Sequence, residues 1–288
     1  MNNLADPGVI SDILKRHGFT FSKGLGQNFL VNPTVCPRMA EASGAGPGVG
    51  ALEIGPGIGV LTAELAKRAD RVVSLEIDQR LLPILQETLA GFEQVKILNS
   101  DVLKTDLHRL IAEEFAGLEV VVCANLPYYI TSPVIMKLLE ENLPVKAVTV
   151  MVQKEAAQRL CALPGTRACG AVSAAVRFYA EPEILFPVSC GSFRPAPNVD
   201  SAVIRLQIQK EPPVEVLSRK KFFATVKAAF GQRRKTILNA LTSLLALPRD
   251  RVAQACQATG LHASMRAEQL SLQDFAALSN ALFPDSYD

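Results

Sequence analysis

The chain has 288 residues, 49% hydrophobic and 20% charged, enough for one large globular domain with a smaller companion. No run of about 18 apolar residues occurs, which argues against a membrane span. The opening "MNNLADPGVISDILKRHGF" carries charges throughout and lacks the apolar core of a secretion signal. Net charge is only +2, but residues 211–288 hold 10 Lys/Arg against 7 Asp/Glu, and Val216–Arg251 hold nine basic residues against one acid, Asp250. A local basic patch of that kind suits a polyanion.

The elements follow in chain order. "DPGVISDILKRHGF" reads as a helix capped by Asp6 with Pro7 in its first turn. Four β-rich apolar runs come next: Gly50–Ile54, Arg71–Ile77, Gln94–Leu98 and Glu119–Asn125. Between them "VLTAELAKRA" and "QRLLPILQETLA" space their apolar residues at helical intervals. Alternating strands and helices imply βαβ units around a parallel sheet buried on both faces. Three later runs, Ala147–Gln153, Ala171–Ala180 and Asp200–Gln209, are expected to extend that sheet. "KEPPVE" (210–215) reads as a linker, because paired prolines stop both helix and inner strand. Only helical patterns follow, so a first domain is expected over 1–210 and a small all-helical one over 211–288.

The chemistry-bearing residues sit at the ends of the predicted strands, where open parallel sheets bind ligands. "LEIGPGIG" (52–59) forms the first strand-to-helix turn, and Gly55 and Gly57 there allow a ligand close to the backbone. A dinucleotide loop would want glycine where Val60 stands, which disfavours a nucleotide-dependent oxidoreductase. Glu76 ends the second strand, where a carboxylate can accept from two ribose hydroxyls. Asp101, beyond the third strand, can accept from an adenine amino group. The fourth strand ends in "NLPY" (125–128). Asn125 and a backbone carbonyl of Leu126 or Pro127 could each accept one N–H of an exocyclic amine, and Tyr128 could stack on its base. Neither a metal-like Cys/His spacing nor a CxxC pair occurs among the six cysteines and three histidines, so no metal is expected. Free thiols point to the reducing cytoplasm.

The acid-x-Gly-x-Gly-x-Gly turn resembles the S-adenosylmethionine loop of class I methyltransferases, which implies a Rossmann-like α/β sheet. Together with "GLGQNFL" (24–30), "FRPAPNVDSAV" (193–203) and "FGQRRKTILNAL" (230–241), the chain from about Lys23 onward resembles the ribosomal RNA adenine dimethyltransferases of the KsgA/RsmA family. The resemblance implies that Asn28 and Leu30 also touch S-adenosylmethionine and that Phe193 faces the target base. Pro195 and Pro197 make its segment a rigid non-strand loop over the site. It implies an enzyme that dimethylates two adjacent adenosines in the 3′-terminal hairpin loop of small-subunit ribosomal RNA, and a monomer is expected because no long apolar repeat remains unassigned. A large-subunit methylase of the antibiotic-resistance type and a non-catalytic ribosome assembly factor are the alternatives. Arg233, Arg234 and Lys235, placed on a helix whose other face carries Phe223, Phe230, Ile237 and Leu241, are the expected RNA-backbone contacts.

Overall fold

The computed structural model describes residues 4, 6–22, 24 and 26–286. Lys23 and Leu25, within the stretch that carries the resemblance, lie outside the described residues. The chain divides into two compact units, residues 1–157 with 182–208, and residues 158–181 with 209–288.

The first unit is built on a seven-stranded sheet. Its elements are α1 (Pro7–Arg16), β1 (Phe29–Leu30), α2 (Val35–Ala42), β2 (Val49–Ile54), α3 (Val60–Ala66), β3 (Arg71–Glu76), α4 (Leu82–Thr88), β4 (Val95–Asn99), α5 (Leu107–Glu114), β5 (Glu119–Asn125), α6 (Thr131–Glu140) and β6 (Ala147–Gln153). After α7 (Lys154–Leu160) and α8 (Ala171–Tyr179) come β7 (Ala180–Val188), β8 (Phe193–Arg194) and β9 (Ser201–Ile208). The strand order is β4-β3-β2-β5-β6-β9-β7. Strands β2 to β6 pair in parallel, and β9 runs antiparallel to β6. Every residue of β2 is buried, as a strand covered on both faces requires. The order reverses between β2 and β5, so the carboxyl ends of these strands open a crevice. Asp6 accepts from the Gly8 and Val9 N–H groups and caps α1, with Pro7 at its first turn.

Ala171–Tyr179 is helix α8, not a strand. Ser173 anchors its start, accepting from the Gly170 N–H at 3.0 Å and donating to the Arg159 carbonyl at 2.6 Å. Helix α8 belongs to the second unit with α9 (Arg219–Gly231), α10 (Ile237–Leu244), α11 (Arg249–Ala258) and α12 (Leu272–Leu282). Phe178 is fully buried there, its ring 5.0 Å from that of Phe222. The helical unit therefore draws in 158–181, and a division at 211 assigns that segment to the wrong side. The paired prolines mark where the chain re-enters this unit, while the earlier excursion has no such punctuation.

Arg233, Arg234 and Lys235 also stand differently from expectation. Helix α9 ends at Gly231, and Thr236 caps α10 by accepting from the Asn239 N–H, so the triplet occupies an exposed turn between two helices.

Candidate active site

The ends of β2, β3, β4 and β5 surround a cavity of about 330 Å³, within the size range of small-molecule sites. Asn28, Leu30, Gly55, Gly57, Glu76, Asp101, Asn125, Leu126, Pro127, Tyr128 and Phe193 all line it. The basic triplet belongs to the other unit.

The floor is the turn after β2. Gly55 and Gly57 have φ of +70° and +60°, a region that side chains strain to occupy. A Cβ on Gly55 would meet nothing nearer than the Asn125 carbonyl oxygen, at 4.0 Å, and would project into the opening. Beneath the turn lies Glu53, completely buried, whose Oε2 accepts from Thr62 of α3 and Ser74 of β3, each at 2.6 Å. Among the described residues its Oε1 has no partner. Burial pushes this carboxyl up to about 7, against the pull of its two hydroxyl donors.

Glu76 is buried at the end of β3. Its Oε1 accepts from the Asp78 N–H at 2.8 Å. Burial raises it to about 7, although N–H groups of Asp78, Gly57 and Ile77 favour the ionised form. Its backbone carbonyl is held by the Ser100 N–H and the Asn99 carboxamide, which ties the ends of β3 and β4 together. Asp101 caps the next turn, its Oδ1 accepting from the Leu103 N–H at 3.0 Å.

At the end of β5, Asn125 sits in register with Met151. Among the described residues its carboxamide has no hydrogen-bond partner. The Pro127 carbonyl accepts from the Ile130 N–H at 3.2 Å and the Thr131 hydroxyl at 3.3 Å, whereas no bond to the Leu126 carbonyl is found among the described residues. Of the two candidate carbonyls, Leu126 is the one left free. Tyr128 is half-buried, its hydroxyl 2.8 Å from the Ser201 hydroxyl at the start of β9.

Two segments distant in sequence close the site. Strand β1 pairs antiparallel with β8, with Leu30 opposite Phe193 and Phe29 opposite Arg194. The segment before Pro195 is thus a two-residue strand, because pairing with β1 overrides its proline-rich context. Phe193 reaches the cavity wall but is only 1% exposed and belongs to the same buried cluster as Leu30 and Met151. A further fastening is absent from the expected set. Gln27 donates to Asp78 at 2.7 Å, and Asp78 also receives the Arg80 guanidinium, which holds its carboxyl below the usual range. Gln27 stood within "GLGQNFL", but only the fold shows that Asp78 receives it.

A sheet in this order, with a glycine turn after β2 and an acid ending β3, defines a class I S-adenosylmethionine-dependent methyltransferase. The open floor at Gly55 and the buried acceptor at Glu76 fit that cofactor. The chain belongs to the ribosomal RNA adenine dimethylase family, which matches residues 18–283. It is 49% identical over 286 residues to Ribosomal RNA small subunit methyltransferase A of Geobacillus thermodenitrificans (strain NG80-2), covering 98% of each chain. It is 49% identical over 288 residues to the protein of that name from Bacillus cytotoxicus, covering 99% of each. Among solved structures it is similar to the 23S rRNA methyltransferase ErmE, with 29% identity and a TM-score of 0.68 over 88% of this chain and 99% of that one. A dimethyladenosine transferase from Plasmodium falciparum shares the fold, with 24% identity and a TM-score of 0.71 over 87% and 95%.

Proposed function

We propose that this chain dimethylates the exocyclic amino groups of two adjacent adenosines in the 3′-terminal hairpin loop of small-subunit ribosomal RNA. The observation that carries the reaction is the unpartnered Asn125 carboxamide beside the free Leu126 carbonyl, both at the cavity. The near-full-length likeness to proteins named for the small subunit supports the substrate, and the likeness to the 23S enzyme is weaker. Unpaired loop bases cost less to extrude than duplex bases.

S-adenosylmethionine, when bound, supplies an electrophilic methyl group on a sulfonium sulfur. Glu76 would accept from the ribose hydroxyls, and Asp101 from the adenine amino group of the cofactor. Gly55 and Gly57 would leave backbone and space for it, and Asn28 and Leu30 would hold it from the cavity wall. At the target base, the Asn125 oxygen and the Leu126 carbonyl accept one N–H each. The amine lone pair is then drawn out of conjugation and aimed at the methyl carbon. Pro127 fixes the backbone after Leu126, with φ of −56°. Tyr128 stacks on the base from a ring held by Ser201, and Phe193 backs the same wall. The N–C bond forms as the S–C bond breaks, and the surplus amine proton passes to water. In the helical unit, Arg233, Arg234 and Lys235 follow the RNA backbone. The chain acts as a monomer in the cytoplasm, where its six cysteines, none of them in a disulfide, stay reduced.

Methyl transfer assayed on unmethylated small subunits, large subunits and free RNA tests the proposal. The expected result is transfer to adjacent adenosines of the small subunit. Transfer confined to the large subunit, or none to any RNA, would overturn it.

A further inference from the structure

The exposed aromatic at the rim of the cavity is Tyr129, and the reaction described above gives it no task. It is 57% exposed, yet it lines the same cavity as Asn125 and Tyr128. Among the described residues its hydroxyl has no partner. The Cδ1 and Cε1 side of its ring lies 3.4–3.5 Å from where a Cβ on Gly26 would stand. The ring therefore meets the segment that runs into Gln27 and Asn28 along that edge, while more than half of the residue stays exposed.

Tyr128 and Tyr129 begin the one-turn 3₁₀ helix Tyr128–Ile130. Successive side chains of such a turn point about 120° apart, so two neighbouring rings cannot share one base. Tyr128 is fixed inward by Ser201. Tyr129, the next residue, lines the same cavity and is left 57% exposed at its rim. A nucleotide drawn into the cavity keeps its neighbour on the strand at the rim, within reach of that second ring.

We infer that Tyr129 is a second stacking platform, which holds the nucleotide adjacent to the target adenosine while the target occupies the cavity. The inference rests on the reading that Asn125 to Tyr128 receive the target base. A platform at the rim of the cavity gives the enzyme a grip on two consecutive bases. It therefore favours strands in which the target's neighbour is an unpaired base with a large stacking face, as a second adenosine is.

The test is a series, Tyr129→Phe, Tyr129→Leu and Tyr129→Ala, with unmethylated small ribosomal subunits as substrate. Loss of one base stack predicts that Leu and Ala raise KM for the subunits about 5- to 150-fold, whereas Phe restores most of the loss. Affinity for S-adenosylmethionine, measured by calorimetry, stays within about twofold of the parent throughout. Leucine fills the space against Gly26 but offers no aromatic face, so the Phe–Leu split separates stacking from support. A Leu variant as good as the parent, or a loss confined to cofactor affinity, overturns the inference. The parallel variant Asn125→Ala keeps the two readings apart. If its turnover survives, the site reading itself fails. If it is inactive while the whole Tyr129 series behaves like the parent, only the platform fails.

Discussion

The Tyr128 hydroxyl lies 2.8 Å from the Ser201 hydroxyl, which fastens the turn after β5 to the first residue of β9. The bond fixes the ring without consuming its face. Tyr128→Phe keeps the face and loses a contact worth roughly 0.5–1.5 kcal/mol, so single-turnover methylation should slow only several-fold. Tyr128→Ala loses the face as well and should slow it much further. Equal rates for the two variants would show that the hydroxyl, not the ring, matters.

Asn125→Ala should leave cofactor binding intact and cut the single-turnover rate at saturating cofactor about 10²- to 10³-fold, the usual cost of one preorganised polar contact at a reacting centre. The free carboxamide is the reason: it supports no neighbouring structure, so its removal should leave the fold undisturbed. A rate near that of the parent would remove Asn125 from the mechanism.

Glu76→Ala should weaken S-adenosylmethionine by roughly 1.5–3 kcal/mol, as expected for hydrogen bonds to a charged acceptor. Burial has raised this carboxyl to about 7. The ionised form is the better acceptor for hydroxyls, so cofactor affinity should fall as pH drops below that value. Calorimetry at several pH values decides it, with Glu76→Gln as control. An identical pH slope in the control would assign the titration to another group.

Glu53 should show itself in stability. Its carboxyl is raised from 4.5 to about 7 in the folded chain, so the native state binds a proton more tightly than the unfolded state does. Stability from this group is present at low pH and is lost as pH rises through 7. Glu53→Gln is neutral at every pH and should gain on the parent between pH 5 and pH 8, by up to about 3 kcal/mol. Denaturant melts at both pH values measure the gap. A gap that does not change with pH would mean that Glu53 titrates in the folded chain as it does in the unfolded one.

Arg233, Arg234 and Lys235 changed together to Gln should weaken RNA binding and leave cofactor affinity unchanged. If all three meet phosphates, the slope of log K against log salt should become shallower by about 2–3 units. The loss should be equal for methylated and unmethylated RNA, because phosphate contacts carry no base information. An unchanged slope in a folded variant would return these residues to ordinary solvent exposure.

The site was far more legible in the sequence than the boundary between the units. Gly55, Glu76, Asp101 and Asn125 each follow or end a strand, so their convergence on one cavity could be expected from the strand pattern alone. The pairing of β1 with β8 joins two residues to two others across more than 160 positions, and a pattern of period two needs more residues than that to show. Ala171–Tyr179 misled because Val172, Val176 and Phe178 mimic a strand. Its alanines and the Ser173 anchor made the helix. The basic triplet lies outside both helices because α9 ends at Gly231 and Thr236 caps a new helix after it.

The excursion at 158–181 also shapes the order in which the chain can mature as it is synthesised. Helix α8, with Phe178, is made some forty residues before α9 and about a hundred before α12, against which the helical core closes. For that interval its apolar face has no native partner. The sheet, in contrast, is complete once β9 has emerged at residue 208. The catalytic platform can thus form on the ribosome while the helical unit waits for the last helix, and the nascent chain carries an exposed aromatic segment through that wait.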